Sequence, residues 1–182
     1  NSMKFSLDLS HPDDPVKAIQ ITSSVPEEGK TSLAIALGRA MCSSGQKVII
    51  IDGDLRRSSV GKKLGLRDKH KGLSDLVVAG DADLMEFVRK DPRSDLDYMP
   101  TGTAKFANAT DIFSSHRMSS IIELLKSRYD LVIIDTPPVM AVADARIIGQ
   151  MVDKTVFAVR WDKTPRKVAM AALDQLRRAK VD

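Results

Sequence analysis

The chain has 182 residues, 43% of them apolar and only 4% aromatic, with a formal net charge of +4. That length buries a sizeable core as one domain without staples, and the single cysteine, Cys42, excludes a disulfide scaffold and fits a reducing compartment. No stretch reaches the ~20 apolar residues of a membrane span, no signal peptide is visible, and there is no internal repeat or low-complexity tract.

Lys17 to Thr22 reads as a short strand, with Ile19 and Ile21 on one face. Ser23 to Gly29 is a turn-forming loop. A helix is predicted over 31–43, where Leu33, Ile35, Ala36, Leu37 and Ala40 supply a broad apolar face. A strand, a loop ending Gly29-Lys30-Thr31 and then a helix is the context of a phosphate-binding loop. Its amides over 27–31 would point at the β- and γ-phosphates, helped by the positive end of the helix. Lys30 would sit on the β/γ oxygens, Thr31 would offer its hydroxyl to Mg²⁺, and Ser32 would face the α-phosphate. The loop residues Pro26, Glu27, Glu28 and Gly29 complete the expected nucleotide contacts. Ser24 stands where the general pattern has its first glycine, and the carboxylates of Glu27 and Glu28 repel a polyphosphate unless they face solvent or hold a partner.

Val48 to Ile51, within a strand predicted over 47–51, is a continuous apolar run, the mark of a parallel strand covered on both faces. It ends in Asp52-Gly53-Asp54, at the strand edge where ligands of such sheets collect. Two tasks suit Asp52: ordering the metal's water shell, or taking a proton from an attacking hydroxyl. Asp54 fits catalysis and a turn cap equally. Arg56 and Arg57 can neutralise phosphate charge, reach a neighbouring subunit or simply be solvated. With Lys62, Lys63, Arg67, Lys69 and Lys71 they concentrate positive charge in one region, which reads as a solvated face or as a docking surface for an acidic, tyrosine-bearing segment. Nothing aromatic is interleaved to stack on bases, so no nucleic acid is expected.

Further on, helices are predicted near 73–79 and at 82–89, loops at 67–71 and 104–110, a strand at 96–99 and a helix at 115–128. Leu131 to Ile134, within a strand predicted over 131–135, repeats the apolar run and ends in Asp135-Thr136-Pro137-Pro138. Asp135 fits the holding of Mg²⁺, directly or through water, and the prolines turn the chain sharply off the sheet. A helix near 142–150, a strand at 155–160 and a helix at 165–180 follow. Arg160 is placed at the nucleotide, and Trp161 either borders an adenine pocket or packs. His11, His70 and His116 lack metal-ligand spacing. Alternating apolar runs and helical patterns give an α/β fold, a mostly parallel sheet with helices on both faces, of the P-loop NTPase type.

T-S-x-x-P-x-E-G-K-T, then apolar-D-x-D-L-R, then apolar-D-T-P-P resembles the bacterial tyrosine kinases, the cytoplasmic kinase domains of polysaccharide co-polymerases and exopolysaccharide export proteins. Lys71 to Leu76 is similar to the family's G-L-x-x-L segment and Met99 to Gly102 to its P-x-G turn. Asn108, Asp111-Ile112-Phe113, Ser115 and Met118 are similar to its N-P-x-E-L-L-x-S-x-x-M stretch, with Ala109 in place of the proline and Asp111 in place of the glutamate; Val139 to Ala145 follows the segment after the third motif. The resemblance covers nearly the whole chain.

It implies an ATP- and Mg²⁺-dependent kinase that phosphorylates tyrosines on itself or on neighbouring copies and releases ADP. Lys30, Asp52 and Asp54 take the family's catalytic positions, and Thr31, Asp52 and Asp135 its metal positions. It also implies a homo-oligomer joined to a membrane-spanning co-polymerase, at the cytoplasmic face of the bacterial inner membrane. Residues 1–182 are then a single kinase domain, shortened at both ends. The family's E-x-x-R-x-x-R helix would precede Lys4-Phe5-Ser6, and its tyrosine-rich tail would follow Asp182. Tyr98 and Tyr129, the only tyrosines, are expected to be structural. Two rivals remain: an ATP-binding switch of the same assembly that phosphorylates nothing, and a partitioning-type ATPase on DNA. Val25, where partitioning ATPases carry an extra lysine, argues against the last.

Overall fold

The computed structural model describes residues 15–80, 82–106 and 108–182. His11 and the Lys4-Phe5-Ser6 start lie outside them. Six strands form one sheet in the order β3-β4-β2-β5-β1-β6: β1 is Ala18–Ser23, β2 Val48–Asp52, β3 Arg89–Lys90, β4 Asp97–Met99, β5 Leu131–Asp135 and β6 Lys154–Ala158. All pairs are parallel except β3 with β4. The helices are α1 (Lys30–Ser43), α2 (Val60–Lys63), α3 (Leu73–Val78), α4 (Ala109–Phe113), α5 (His116–Arg128), α6 (Asp144–Gly149) and α7 (Arg166–Arg178).

The pleat explains the two layers. Ile49, Ile51, Val132 and Ile134 face one way and pack with Phe113, Met118, Ile121, Ile122 and Leu125 of α4 and α5. Ile50 and Ile133 point the other way, with Ile19 and Ile21 of β1, onto Ala34, Ile35, Leu37 and Met41 of α1. Every residue of β1, β2 and β5 is buried; the apolar runs of β2 and β5 require this, whereas β1 also buries the polar Gln20, Thr22 and Ser23.

The 82–89 segment corrects the reading from periodicity. It is a short 3-10 helix, Leu84–Phe87, capped by the Asp83 side chain on the Met85 amide, and it gives way to β3. Tertiary pairing overrides helix propensity here. Asp91 closes the turn into β4: its amide donates to the Leu96 carbonyl at 2.8 Å, and its carboxylate accepts from Arg39 at 2.8 and 3.0 Å. Arg89 is thereby set opposite Tyr98 in the antiparallel edge pair. A second correction concerns 104–110, where the loop ends early because Asn108 caps α4 through the Thr110 amide at 3.1 Å. Helix α2 lies in a region for which no helix was expected. Tyr98 and Tyr129 are buried, and the Tyr129 hydroxyl donates to Asp97 at 2.9 Å, so both serve the core.

Candidate functional site

Parallel pairing brings the three sequence motifs to one edge. Asp52 and Asp135 are partners across β2 and β5, and Ile21 is the partner of Asp135 across β1. The turn after β5 is fastened to the strand that feeds the loop: the Val139 amide donates to the Ser23 carbonyl at 2.8 Å, and the Thr22 hydroxyl to the Pro137 carbonyl at 3.0 Å. Above this edge opens a cavity of about 750 Å³, walled by Pro26, Glu27, Gly29, Lys30, Thr31 and Ser32, with Asp54, Arg57, Pro138 and Arg160 among the facing residues.

The loop reaches its shape through two left-handed residues, Glu27 (φ 65°) and Gly29 (φ 88°). The first is uncommon for a side-chain-bearing residue and marks a constrained backbone. Glu28 supplies part of the constraint. Expected among the nucleotide contacts, its side chain is instead turned inward and braces the loop. The carboxylate accepts from the Val25 amide at 2.9 Å, the Thr164 hydroxyl at 2.5 Å and the Arg160 amide at 3.3 Å. Burial works to raise its pKa, but these bonds outweigh burial and hold it below the ordinary carboxylate value. Glu27 is exposed, and its carbonyl accepts from the Arg160 guanidinium at 3.3 Å. The loop therefore escapes the repulsion its two carboxylates threatened. Glu28→Ala is expected to lower stability by about 1–3 kcal/mol and to weaken nucleotide binding, read by thermal melting and by titration with Mg-ADP; an unchanged melting temperature would remove the brace from the account.

Helix α1 begins just after Gly29 with no side chain capping its first amides, which leaves that end suited to phosphate. Lys30 is half-buried, and burial depresses its pKa while Asp135, Asp54 and Glu28 oppose the fall. The Thr31 hydroxyl donates to Asp135 at 2.5 Å and lies 2.8 Å from the Ser59 hydroxyl. The other Asp135 oxygen, Oδ1, is buried without a partner. Burial raises the Asp135 pKa to about 6, against the lowering pull of Thr31 and Lys30. A buried carboxylate oxygen with nothing to bind, beside two hydroxyls, is the hard-oxygen donor set that Mg²⁺ takes while keeping most of its waters.

Asp52 is fully buried and points at α2: it accepts from the Ser58 hydroxyl at 3.0 Å and from the Ser59 and Val60 amides at 2.9 and 3.0 Å. Burial, and then Asp135, raise its pKa to about 7. The acidic residue of this pair on the cavity wall is Asp54. Asp54 also caps its own turn, accepting from the Arg56 and Arg57 amides at 3.2 and 2.9 Å. Arg56 is ion-paired with the buried Asp144, which accepts from Thr110 at 2.9 Å as well. Arg57 is exposed on the wall. Trp161 is 93% exposed and neither packs nor lines the cavity.

Two wall residues were not expected at this site: Ser59 was not singled out in the sequence, and Lys63 stood out there only as part of the basic cluster. Ser59 joins Thr31 and Asp135, and Lys63 donates to Ser32 at 3.0 Å. Both arrive on the turn and helix that Asp52 anchors. The run after Asp54-Leu55-Arg56-Arg57 carries no spacing that would have announced them.

Residues 16–173 match the family described as AAA domain, AAA_31. The chain is 28% identical over 181 residues to the putative tyrosine-protein kinase EpsB of Ralstonia solanacearum, covering 100% of this chain and 24% of that protein. It is 30% identical over 175 residues to the tyrosine-protein kinase YwqD of Bacillus subtilis, covering 96% of this chain and 73% of YwqD. The kinase domain of the Escherichia coli tyrosine kinase ETK superposes with a TM-score of 0.91 at 29% identity, over 100% of this chain and 70% of that one. The chain thus spans about a quarter of EpsB.

Proposed function

Since this chain belongs to the AAA-domain family and, within it, to the bacterial tyrosine-protein kinases, we propose that it transfers the γ-phosphoryl group of ATP to tyrosine, in an assembly that governs exopolysaccharide or capsule polymerisation and export. The observation that carries this reading is the unpartnered, buried Asp135 oxygen set beside the Thr31 hydroxyl at the foot of a phosphate-shaped loop.

Loop amides and Lys30 hold the β- and γ-phosphates in line with an incoming phenol. Thr31 and Asp135, with Asp52 behind them, would hold Mg²⁺, which when bound offsets the negative charge of the phosphates. Asp54, on the wall, takes the phenolic proton as the tyrosine oxygen bonds to the γ-phosphorus and the bond from that phosphorus to the ADP oxygen breaks. Asp52 reaches the chemistry through the turn it anchors. Among the described residues no helix is long and apolar enough to cross a membrane. The reading places the domain at the cytoplasmic face of the inner membrane beside a membrane-spanning co-polymerase, with neighbouring copies of itself as partners.

Both tyrosines of the chain are buried, so neither is an open acceptor, and a second reading is a regulatory ATPase that phosphorylates nothing. Incubation with Mg-ATP and a tyrosine-bearing polypeptide, followed by mass spectrometry, separates the two. Phosphotyrosine supports the kinase; ADP without phosphotyrosine selects the switch.

A further inference from the structure

A second cavity, of about 420 Å³, lies next to the first and shares Arg56 with it. Two motifs singled out in the sequence, Gly72-Leu73-Ser74-Asp75 and Pro100-Thr101-Gly102, build its wall, and the chemistry at the phosphate loop uses neither. They are locked together. The Leu73 and Ser74 amides donate to the Pro100 and Thr101 carbonyls, both at 2.8 Å. Asp75 accepts from the Gly72 amide at 2.9 Å and from the Thr103 amide and hydroxyl, both at 2.8 Å. The contact has no room for more: a Cβ on Gly72 would run into the Pro100 carbonyl, and one on Gly102 into Ser74 and Asp75. So rigid a wall is suited to recognition, which loses precision when its frame moves.

What the wall presents is one-sided. Its charged residues are Arg56 and Lys105, with no carboxylate among the lining residues. The acids nearby in chain and fold are occupied, Asp75 by Thr103 and Gly72, Asp144 by Arg56 and Thr110. Lys105 has no ion-pair partner among the described residues. Ser74 is buried, and its hydroxyl lacks a hydrogen-bond partner, as a group kept for a ligand does. Leu55, Ile112 and the 38% exposed Phe106 give the lining an apolar part, beside the polar Thr101 and Asn108.

On this basis, and resting on the kinase reading above, we propose that the second cavity is a specificity subsite for the acceptor polypeptide, and that it takes an oxyanion on an apolar stem from a residue near the acceptor tyrosine. A polypeptide that sets its phenol against Asp54 must lay its neighbouring residues on the surface beside Arg56, and the second cavity is what they meet. The unpaired Lys105 and a free hydroxyl, beside an Arg56 already held by Asp144, select an oxyanion, and Leu55, Phe106 and Ile112 select a stem. Glutamate and phosphotyrosine both answer this description.

Fluorescence anisotropy with short labelled peptides tests it. One peptide carries a tyrosine between glutamates, one replaces the glutamates by glutamines, and one carries a phosphotyrosine beside the acceptor. Binding of fluorescent ADP with Mg²⁺ is measured on the same samples. The glutamate or the phosphotyrosine peptide should bind about tenfold more tightly than the glutamine peptide, and whichever binds more tightly names the natural side chain. Lys105→Glu should erase that preference and leave ADP binding intact. Lys69→Glu, on the same basic region but off this wall, should leave the preference in place. Equal binding of all three peptides overturns the subsite, as does a loss of preference in Lys69→Glu equal to that in Lys105→Glu, which would show only general attraction to a basic face. Failure of ADP to bind the parent protein would instead count against the kinase reading.

Discussion

Lys30→Met is expected to reduce phosphoryl transfer by about a thousandfold or more, the scale seen when one group that stabilises charge is taken from a transition state. Lys30 sits half-buried on the cavity wall, and burial already disfavours its charge. The negative charges of Asp135, Asp54 and Glu28 pull the other way and favour its charged form. Methionine keeps the stem and removes the charge, so packing at the head of α1 is preserved and the melting temperature should move by only a few degrees. The loss should appear in turnover and in nucleotide affinity together, because on the proposed reading the lysine would meet the phosphates in the ground state as well as in transfer. Phosphotyrosine formation at the parent's rate in this variant would sink the assignment of the phosphate loop.

The parts of this protein that were legible in the sequence are those whose signal is local. Asp52 to Asp54 and Asp135 to Pro138 each follow an apolar run long enough to be a buried strand, Gly29-Lys30-Thr31 follows a short strand and a turn-forming loop, and a parallel sheet leaves such residues at its carboxyl edge wherever the strands fall in order. The strand order then makes Asp52 the partner of Asp135. What escaped depends on distant pairing. Glu28 looked like a phosphate-side residue because its partner Thr164 is 136 residues away. Ser59 reaches Thr31 across 28 positions, and nothing near it in the chain signals that meeting. The 82–89 segment has the composition of a helix, yet Asp91 and the edge of β4 draw its end into a strand. The second cavity was visible only as two motifs without a task; the hydrogen bonds between them turn the motifs into a wall.

Asp135→Asn should separate what this site does for stability from what it does for chemistry. Asp135 and Asp52 are buried partners on adjacent strands, and burial raises them from an ordinary value of 3.8 to about 6 and about 7. In the unfolded chain both ionise near the ordinary value; in the folded protein both hold their protons longer. The folded state therefore binds more protons between about pH 4 and pH 7, and the stability these groups contribute, complete below pH 4, is lost as pH rises through 6 and 7. At pH 8 two ionised carboxylates share a dry edge with one lysine near Asp135. Asparagine removes one of those charges and can still accept from Thr31, so the variant should be more stable than the parent by about 2 kcal/mol at pH 8 in EDTA, with the gap shrinking towards pH 5. Thermal melting at the two pH values reads this directly. The same variant should lose the dependence of ADP affinity on Mg²⁺, since the metal's charged ligand is gone, and phosphoryl transfer should fall by about a hundredfold or more. A parent protein whose melting temperature is flat from pH 5 to pH 8, or a variant that keeps its Mg²⁺ dependence, would break the account. If both effects appear, the strain at this edge is what keeps a carboxylate oxygen free for a metal, and the fold carries that instability because the cation relieves it on binding.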